Sequence, residues 1–378
     1  MSRIASLTFY EFFAGGGMAR LGLGEAWACA FANDFDPMKA QAYRANFRDA
    51  GHFREGDVWA LAAGDLPGRA DLAWASSPCQ DFSLAGGRAG LAGGRSSSFF
   101  GFWRLMEALA QEGRAPRTLV IENVVGLLTS HQGRDFRALC AALAAQGYAF
   151  GALEIDAAGF LPQSRPRVFV IATRERVPAT LVGESPYQTR AVRTAEAGLP
   201  EALAQRWIRW RLDTPPRRNT DLAGLLEPAD AVAWHDAART ARLVSLMAPS
   251  HRARLDALVA AGASAVGGVY RRTRQVDGRR TQRAEARFDG LAGCLRTPRG
   301  GSSRQSLVVV ENGRVRSRLL SPREAARLMG LPDSYRLPAS ATAALHLAGD
   351  GVAVPAVRWL AQRLLEPLLR EKSVLAAE

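Results

Sequence analysis

The chain has 378 residues, 48% hydrophobic and 22% charged, which is globular composition and enough for a large domain plus a smaller one. Its formal net charge is +13, an excess that points to a polyanionic partner, because basic side chains that neutralise phosphates release condensed counterions. Every basic residue except Lys39 and Lys372 is arginine; the bias alone reads as GC-rich coding, although arginine also suits bidentate contacts to guanine and phosphate.

Cys29, Cys79, Cys140 and Cys294 are far apart, with no Cys-x-x-Cys pair. That spacing argues against a zinc site or a disulfide framework, so no metal is expected, and it fits a reducing cytosol. No window approaches a transmembrane span, and the first residues run straight into a glycine loop rather than a signal peptide. A soluble, cytoplasmic protein with no membrane partner is expected.

The first half alternates short apolar runs with helical patterns, which predicts an α/β fold with a parallel sheet covered by helices. A strand at Leu7–Phe13 leads into Ala14-Gly15-Gly16-Gly17, where glycines permit a tight turn and close approach of backbone to a ligand. A helix near Met18–Ala26 and a strand at Ala28–Ala32 follow. Asp34 closes that strand, 17 residues after Gly17, where Rossmann-type folds place a carboxylate that bonds ribose hydroxyls. Phe35 can stack on adenine, and Asp57 is a candidate for its amino group. By themselves these residues indicate an adenosine-containing cofactor, NAD or S-adenosylmethionine.

After a helix at Pro37–Phe47, a strand at Leu72–Ser76 runs into Ser77-Pro78-Cys79-Gln80-Asp81-Phe82-Ser83. A cysteine on a polar loop at a strand's carboxyl end lies where open α/β sheets bind ligands, and loop amides favour its thiolate. Cys29, Cys140 and Cys294 instead read as small hydrophobes. Further on come a helix at Phe99–Gln111, a strand at Thr118–Ile121 ending in Glu122-Asn123-Val124, and a helix at Phe136–Gln146. Gln163-Ser164-Arg165-Pro166-Arg167 then precedes a strand at Val168–Ala172.

Residues 176–288 differ in texture. They hold 19 arginines against 11 acids, a net +8, with poor periodicity apart from a helix near Arg239–Met247. They read as a separate small domain. Regular patterning returns with a strand at Ser306–Val310 and helices at Pro322–Met329 and Val354–Arg370.

Taken in order, the glycine loop, Pro78-Cys79-Gln80, Glu122-Asn123-Val124, Gln163-x-Arg165-x-Arg167, the variable basic region, Arg296–Arg304 leading into Leu319–Gly330, and Gly349-Asp350-Gly351 resemble the bacterial-type DNA (cytosine-5-)-methyltransferases. The resemblance spans Glu11 to about Leu369, with 176–288 matching only in position and character. Met18 stands at the last glycine of the family's Phe-x-Gly-x-Gly-Gly, and Asp350 where asparagine is more common.

The resemblance implies an S-adenosylmethionine-dependent, Rossmann-like sheet from residues 1–175 and 289–378, with a target-recognition domain at 176–288 packed across a cleft from it. It implies that Cys79 adds to carbon 6 of a flipped cytosine while Glu122 holds or donates a proton at nitrogen 3. Arg165 and Arg167 contact the base's carbonyl oxygen or hold the catalytic loop. Cofactor contacts fall to Phe13, Ala14, Gly15, Gly17, Asp34, Phe35, Asp57 and Asp350. Contacts to double-stranded DNA fall to Gln80, Ser83 and Arg88, on a glycine- and serine-rich loop expected to close over the DNA, and to Arg271, Arg272 and Arg274 in the insert. A monomer working beside a cognate restriction endonuclease in the bacterial nucleoid is expected.

A nicotinamide oxidoreductase explains the glycine loop and Asp34 but not the cysteine loop or the basic insert. A non-enzymatic DNA-binding protein leaves the intact catalytic set unexplained. An RNA cytosine-5 methyltransferase shares cofactor and chemistry; the long insert favours duplex DNA, since reading a major groove needs a dedicated surface.

Overall fold

Residues 6–77, 98–276, 278–297 and 304–370 are described in a computed structural model, and they divide into two compact units. The larger comprises residues up to 156, 166–215 and from 354 onward; the smaller comprises 157–165 and 216–353.

The larger unit is built on seven strands: β1 (Leu7–Phe12), β2 (Trp27–Asp34), β3 (Phe53–Glu55), β4 (Leu72–Ala75), β5 (Thr118–Asn123), β6 (Ala149–Asp156) and β7 (Pro166–Thr173). They lie in the order β3-β2-β1-β4-β5-β7-β6, with β1 to β5 parallel and β7 antiparallel to both its neighbours. Near-continuous apolar runs such as Leu119-Val120-Ile121 suit strands buried on both faces. On one face Tyr10, Phe12 and Ile121 meet Phe99, Phe102, Leu105 and Met106 of the helix Ser98–Gln111 and Phe136, Leu139 and Leu143 of the helix Arg134–Ala145. Elsewhere the helix Met18–Leu23 packs on the helix Val354–Leu360, so the end of the chain returns beside the first βα unit. The fit is close: a Cβ on Gly22 would stand 2.4 Å from Val357 Cβ. The expected last helix is interrupted by a π-type turn at Ala361–Leu365, just before Pro367, which has no N–H to return to Arg363.

The smaller unit carries a four-stranded antiparallel sheet, β11-β10-β8-β9, from β8 (Ala265–Val276), β9 (Arg279–Arg287), β10 (Ser306–Glu311) and β11 (Arg314–Leu319). Its core joins Leu243 and Leu255 of two helices, and Met247 between them, to Val269, Ala284, Ala286, Val308 and Val310. Between β10 and β11, Asn312 and Gly313 both take positive φ, 50° and 72°, the two-residue turn whose twist matches antiparallel strands.

The composition break at Arg176 is therefore not where the compact units divide. β6 is an edge strand whose free backbone groups need partners. The chain after residue 176 returns to supply them: Phe150 N–H donates to Arg206 O at 3.0 Å, Ile208 N–H to Phe150 O at 2.7 Å, and Glu154 N–H to Tyr187 O at 2.9 Å. Trp210 Nε1 donates to Ile171 O at 3.2 Å. Residues 289–353, expected with the large sheet, instead belong to the smaller unit, because Ser306–Val310 pairs with Ala265–Val269. No helix among the described residues is long and apolar enough to cross a membrane.

Candidate active site

In the large sheet the connections run one way from β1 and the other way from β4, and the carboxyl ends of strands at such a reversal form a crevice for ligands. The expected residues of this unit gather along that edge. Phe13 to Gly17 follow β1, Asp34 ends β2, Asp57 lies two residues beyond β3, Ser76 and Ser77 follow β4, and Glu122 and Asn123 end β5. Because β7 runs antiparallel, its first residues, including Arg167, lie at the same edge.

The glycine loop is held by backbone geometry. Phe13, Gly15 and Gly17 have φ of 58°, 55° and 77°. Gly15 N–H donates to Asp34 Oδ2 at 2.8 Å, and Asp36 N–H to Asp34 Oδ1 at 3.0 Å, so Asp34 ties the loop to the end of β2. Burial raises the Asp34 carboxyl above its ordinary value despite Lys39 and these two amides. Asp57 is exposed and caps a short helical turn, accepting from Trp59 N–H at 3.0 Å.

These residues fit an adenosine group. Phe35, beside Asp34, is 67% exposed, an aromatic face that the protein itself does not cover. A Cβ on Gly15 would meet nothing within 4 Å, so its left-handed backbone borders open space rather than packed protein. Met18, at the family's last glycine, is buried.

Glu122 and Arg167 form a pair across β5 and β7. Glu122 is in register with Phe169, so Arg167, two residues earlier, is its diagonal neighbour on the same face. Arg167 Nε lies 3.3 Å from Glu122 Oε1, and the side chains are 15% and 8% exposed. Asn123, quoted in the sequence without a role, donates through Nδ2 to Ser77 O at 3.0 Å and accepts Val124 N–H at 2.9 Å. It thus fixes the backbone two residues before Cys79. Cys79 itself, with Gln80, Ser83 and Arg88, lies outside the described residues.

Arg165 does different work from Arg167. It belongs to the smaller unit, is 2% exposed, and donates to the carbonyls of Leu295 (3.0 Å), Gly349 (2.8 Å) and Gly351 (2.6 Å). Gln163 does likewise, accepting Leu295 N–H at 3.0 Å and donating to Leu328 O at 2.6 Å. The Gln-x-Arg half of that motif organises the late motifs, and Asp350 there accepts from the Thr297 hydroxyl. On β8, Arg272 Nε lies 3.1 Å from Glu285 Oε2 and Arg274 Nε donates to Glu285 Oε1 at 2.6 Å, so one carboxylate serves two expected DNA contacts. Arg271 is half-buried and cross-strand from Ala284. Of the cysteines expected to be inert, Cys140 is buried and Cys29 and Cys294 half-buried, all as free thiols.

A doubly wound sheet with a glycine loop, an acid at the end of the second strand and an exposed aromatic beside it defines a Rossmann-like protein for an adenosine-containing cofactor. The family model for the C-5 cytosine-specific DNA methylases matches residues 7–366, and the chain belongs to that family. It is a DNA (cytosine-5-)-methyltransferase and uses S-adenosylmethionine. The Type II methyltransferase M1.ScrFI of Lactococcus lactis subsp. cremoris is 26% identical over 375 residues, covering 98% of this chain and 81% of that one. The Type II methyltransferase M.HhaI of Haemophilus parahaemolyticus is 25% identical over 370 residues, 96% of this chain and 95% of that one. Among solved structures, the S. pombe Dnmt2 methyltransferase shares the fold at a TM-score of 0.59 and 17% identity, covering 96% of this chain and 99% of that one.

Proposed function

We propose that the enzyme methylates cytosine within a specific sequence of duplex DNA, through a covalent adduct at Cys79. The observation that carries this reading is the Glu122–Arg167 pair, set at the strand edge where Asn123 also grips the chain leading to Cys79. Carbon 5 of cytosine is a weak nucleophile, so covalent activation of the ring comes first. The Cys79 thiolate forms a bond to carbon 6 while Glu122 holds or donates a proton at nitrogen 3, where charge develops. Arg167, beside Glu122, keeps its carboxyl oriented and reaches the base's carbonyl oxygen. The glycine loop, Asp34, Phe35 and Asp57 would hold S-adenosylmethionine, which would supply the methyl group to carbon 5 of the activated ring and leave as S-adenosylhomocysteine. Loss of the carbon-5 proton and release of Cys79 restore the aromatic ring. A stacked base is out of reach of these groups, so the cytosine is flipped out of the duplex.

The arginine-bearing β8–β9 hairpin is the proposed DNA reader, and the Type II naming of the relatives supports a role beside a cognate restriction endonuclease. The test is a duplex carrying 5-fluorocytosine at the target, with a transfer RNA substrate alongside. Fluorine blocks the final elimination, so the protein should become covalently attached to the duplex, and Cys79→Ser should abolish both adduct and turnover. Turnover by Cys79→Ser would overturn the assignment, and transfer to the RNA alone would move the enzyme to that substrate.

A further inference from the structure

A second cluster of titratable groups surrounds the helix that follows the glycine loop. Arg20 NH1 lies 3.0 Å from the Tyr43 hydroxyl and 2.9 Å from His52 Nε2, and Tyr43 Oη is 3.1 Å from the same nitrogen. The Arg20 guanidinium carbon sits 4.1 Å from the centre of the Phe47 ring, and Arg20 N–H donates to Glu11 Oε1 at 3.2 Å. We propose that Arg20 is a positioning residue for S-adenosylmethionine binding, joining the two halves of the cofactor site through Tyr43 and His52, and that it does so only while His52 is neutral.

The geometry supplies the reason. Arg20 lies on the helix that grows out of the glycine loop, and Tyr43 on the helix Pro37–Asn46 that grows out of the Asp34–Phe35 end of β2. The contact between them sets the distance between loop and carboxylate. Gly17 has no slack there: a Cβ on it would stand 2.3 Å from Phe47 Cε2. An arginine can only donate, so His52 Nε2 must accept, which requires the neutral imidazole with its proton on Nδ1. Protonation would set N–H against N–H and put two cations in contact.

The surroundings offer that second charge little compensation. Facing the cluster are Glu11 from β1, Cys29 from β2, Tyr43 from the next helix, Arg20, and Asp49 from the exposed turn before His52. Burial holds Glu11 up to about 8, and its Oε2 has no hydrogen-bond partner among the described residues, so below neutral pH it is uncharged. Burial pushes the Cys29 thiol up to about 12 and raises the Tyr43 hydroxyl, so both stay neutral. Burial first, and Arg20 second, lower the His52 pKa against the opposing pull of Asp49. A histidine lowered on folding contributes stability that is complete above its ordinary pKa and is lost as the pH falls through the lowered one.

The experiment is calorimetric titration of the full-length protein with S-adenosylmethionine at about pH 7.5 and about pH 5.5, read as the ratio of dissociation constants within each variant. The wild-type ratio should exceed one and grow toward about fivefold, the loss of one buried hydrogen bond, as the pH falls through the lowered His52 value. His52→Gln, whose amide oxygen accepts from Arg20 but cannot be protonated, should bring the ratio close to one. Arg20→Met, which keeps the stem on Phe47, should bind about fivefold more weakly at both pH values, with Arg20→Lys in between. The inference rests on the proposed cofactor site, so Asp34→Ala is titrated alongside. Unchanged affinity in Asp34→Ala overturns that site. If Asp34→Ala binds weakly while His52→Gln keeps the wild-type ratio, or wild type shows no acid fall, the positioning role is overturned. Should Arg20→Met melt early, the His52→Gln ratio decides.

Discussion

Each unit of the protein holds an arginine–glutamate pair, fully buried in one and partly reachable in the other, and the two are built for opposite ends. In the smaller unit, Arg318 meets Glu324 through two bonds of 2.6 and 2.7 Å, both side chains 1% exposed. Glu324 also accepts the backbone N–H of Ser321 at 3.0 Å and of Glu227 at 2.9 Å. Burial works against its charge, but these four donors outweigh it and hold the carboxyl below its usual range. In the large unit, the approach to Glu122 among the described residues is that of Arg167 at 3.3 Å, at a strand edge and with both groups still partly reachable. A pair whose acceptor positions are filled can only hold chain together. A pair with acceptor capacity left over can receive a ring nitrogen.

That contrast can be broken by experiment. Glu122→Gln should cut methyl transfer by about 10²–10⁴-fold, the usual worth of a positioned acid, while leaving the melting temperature nearly unchanged. Glu324→Gln should do the reverse, destabilising the fold by about 3–5 kcal/mol because Arg318 is left buried without its counter-charge. Equal stability losses in the two variants would erase the distinction. Since Glu324 is depressed on folding, the pair's contribution is complete above the ordinary carboxylate value of about 4.3 and disappears as the pH falls through the lower folded value. Acid unfolding monitored by circular dichroism should therefore be less steep in Glu324→Gln than in wild type over that range.

A smaller effect is expected at the cofactor. Asp34→Ala should weaken S-adenosylmethionine binding by about 1.5–3 kcal/mol and leave DNA binding alone, with the Gly15 amide losing its acceptor as well. The smallest concerns the β8–β9 hairpin. Neutralising Arg271, Arg272 and Arg274 together should weaken DNA binding and flatten its salt dependence, leaving cofactor affinity unchanged. Because Glu285 already offsets part of the charge of Arg272 and Arg274, the slope should change by less than three independent phosphate contacts would give. A wild-type slope would place these arginines off the DNA face.

Much of this was legible in the sequence, for reasons that differ by element. β4, β5 and β7 announce themselves because strands buried on both faces are apolar nearly throughout, and polar residues at strand ends stand out as exceptions: Asp34 at the end of β2, Glu122 and Asn123 at the end of β5. The β10–β11 hairpin was equally open to reading, since Asn312-Gly313 between two strand-like runs is a strong turn signal, yet only its first strand is expected above. β6 was not legible. Its Ala149-Phe150-Gly151-Ala152 has low strand propensity, and its identity comes from β7 on one side and the returning 206–208 segment on the other. A Cβ on Gly151 would lie 1.9 Å from Ile208 O, so that glycine is dictated by a neighbour more than fifty residues away.

By itself, then, the sequence determined the chemistry: the order of its motifs, the family they belong to, the adenosine-binding loop and the cysteine and glutamate expected to act on the base. Those depend on residue type and local spacing, which the chain carries along its length. Tertiary structure alone decided the division of labour within a motif. Arg165 and Arg167 are two residues apart in one short string, yet Arg165 turns to three backbone carbonyls of the smaller unit and Arg167 to Glu122 of the larger. It likewise decided that Arg20, Tyr43 and His52, separated by 32 residues and by no recognisable motif, meet around one imidazole nitrogen. Partners so far apart along the chain are chosen by strand order and helix packing, and no local pattern encodes them.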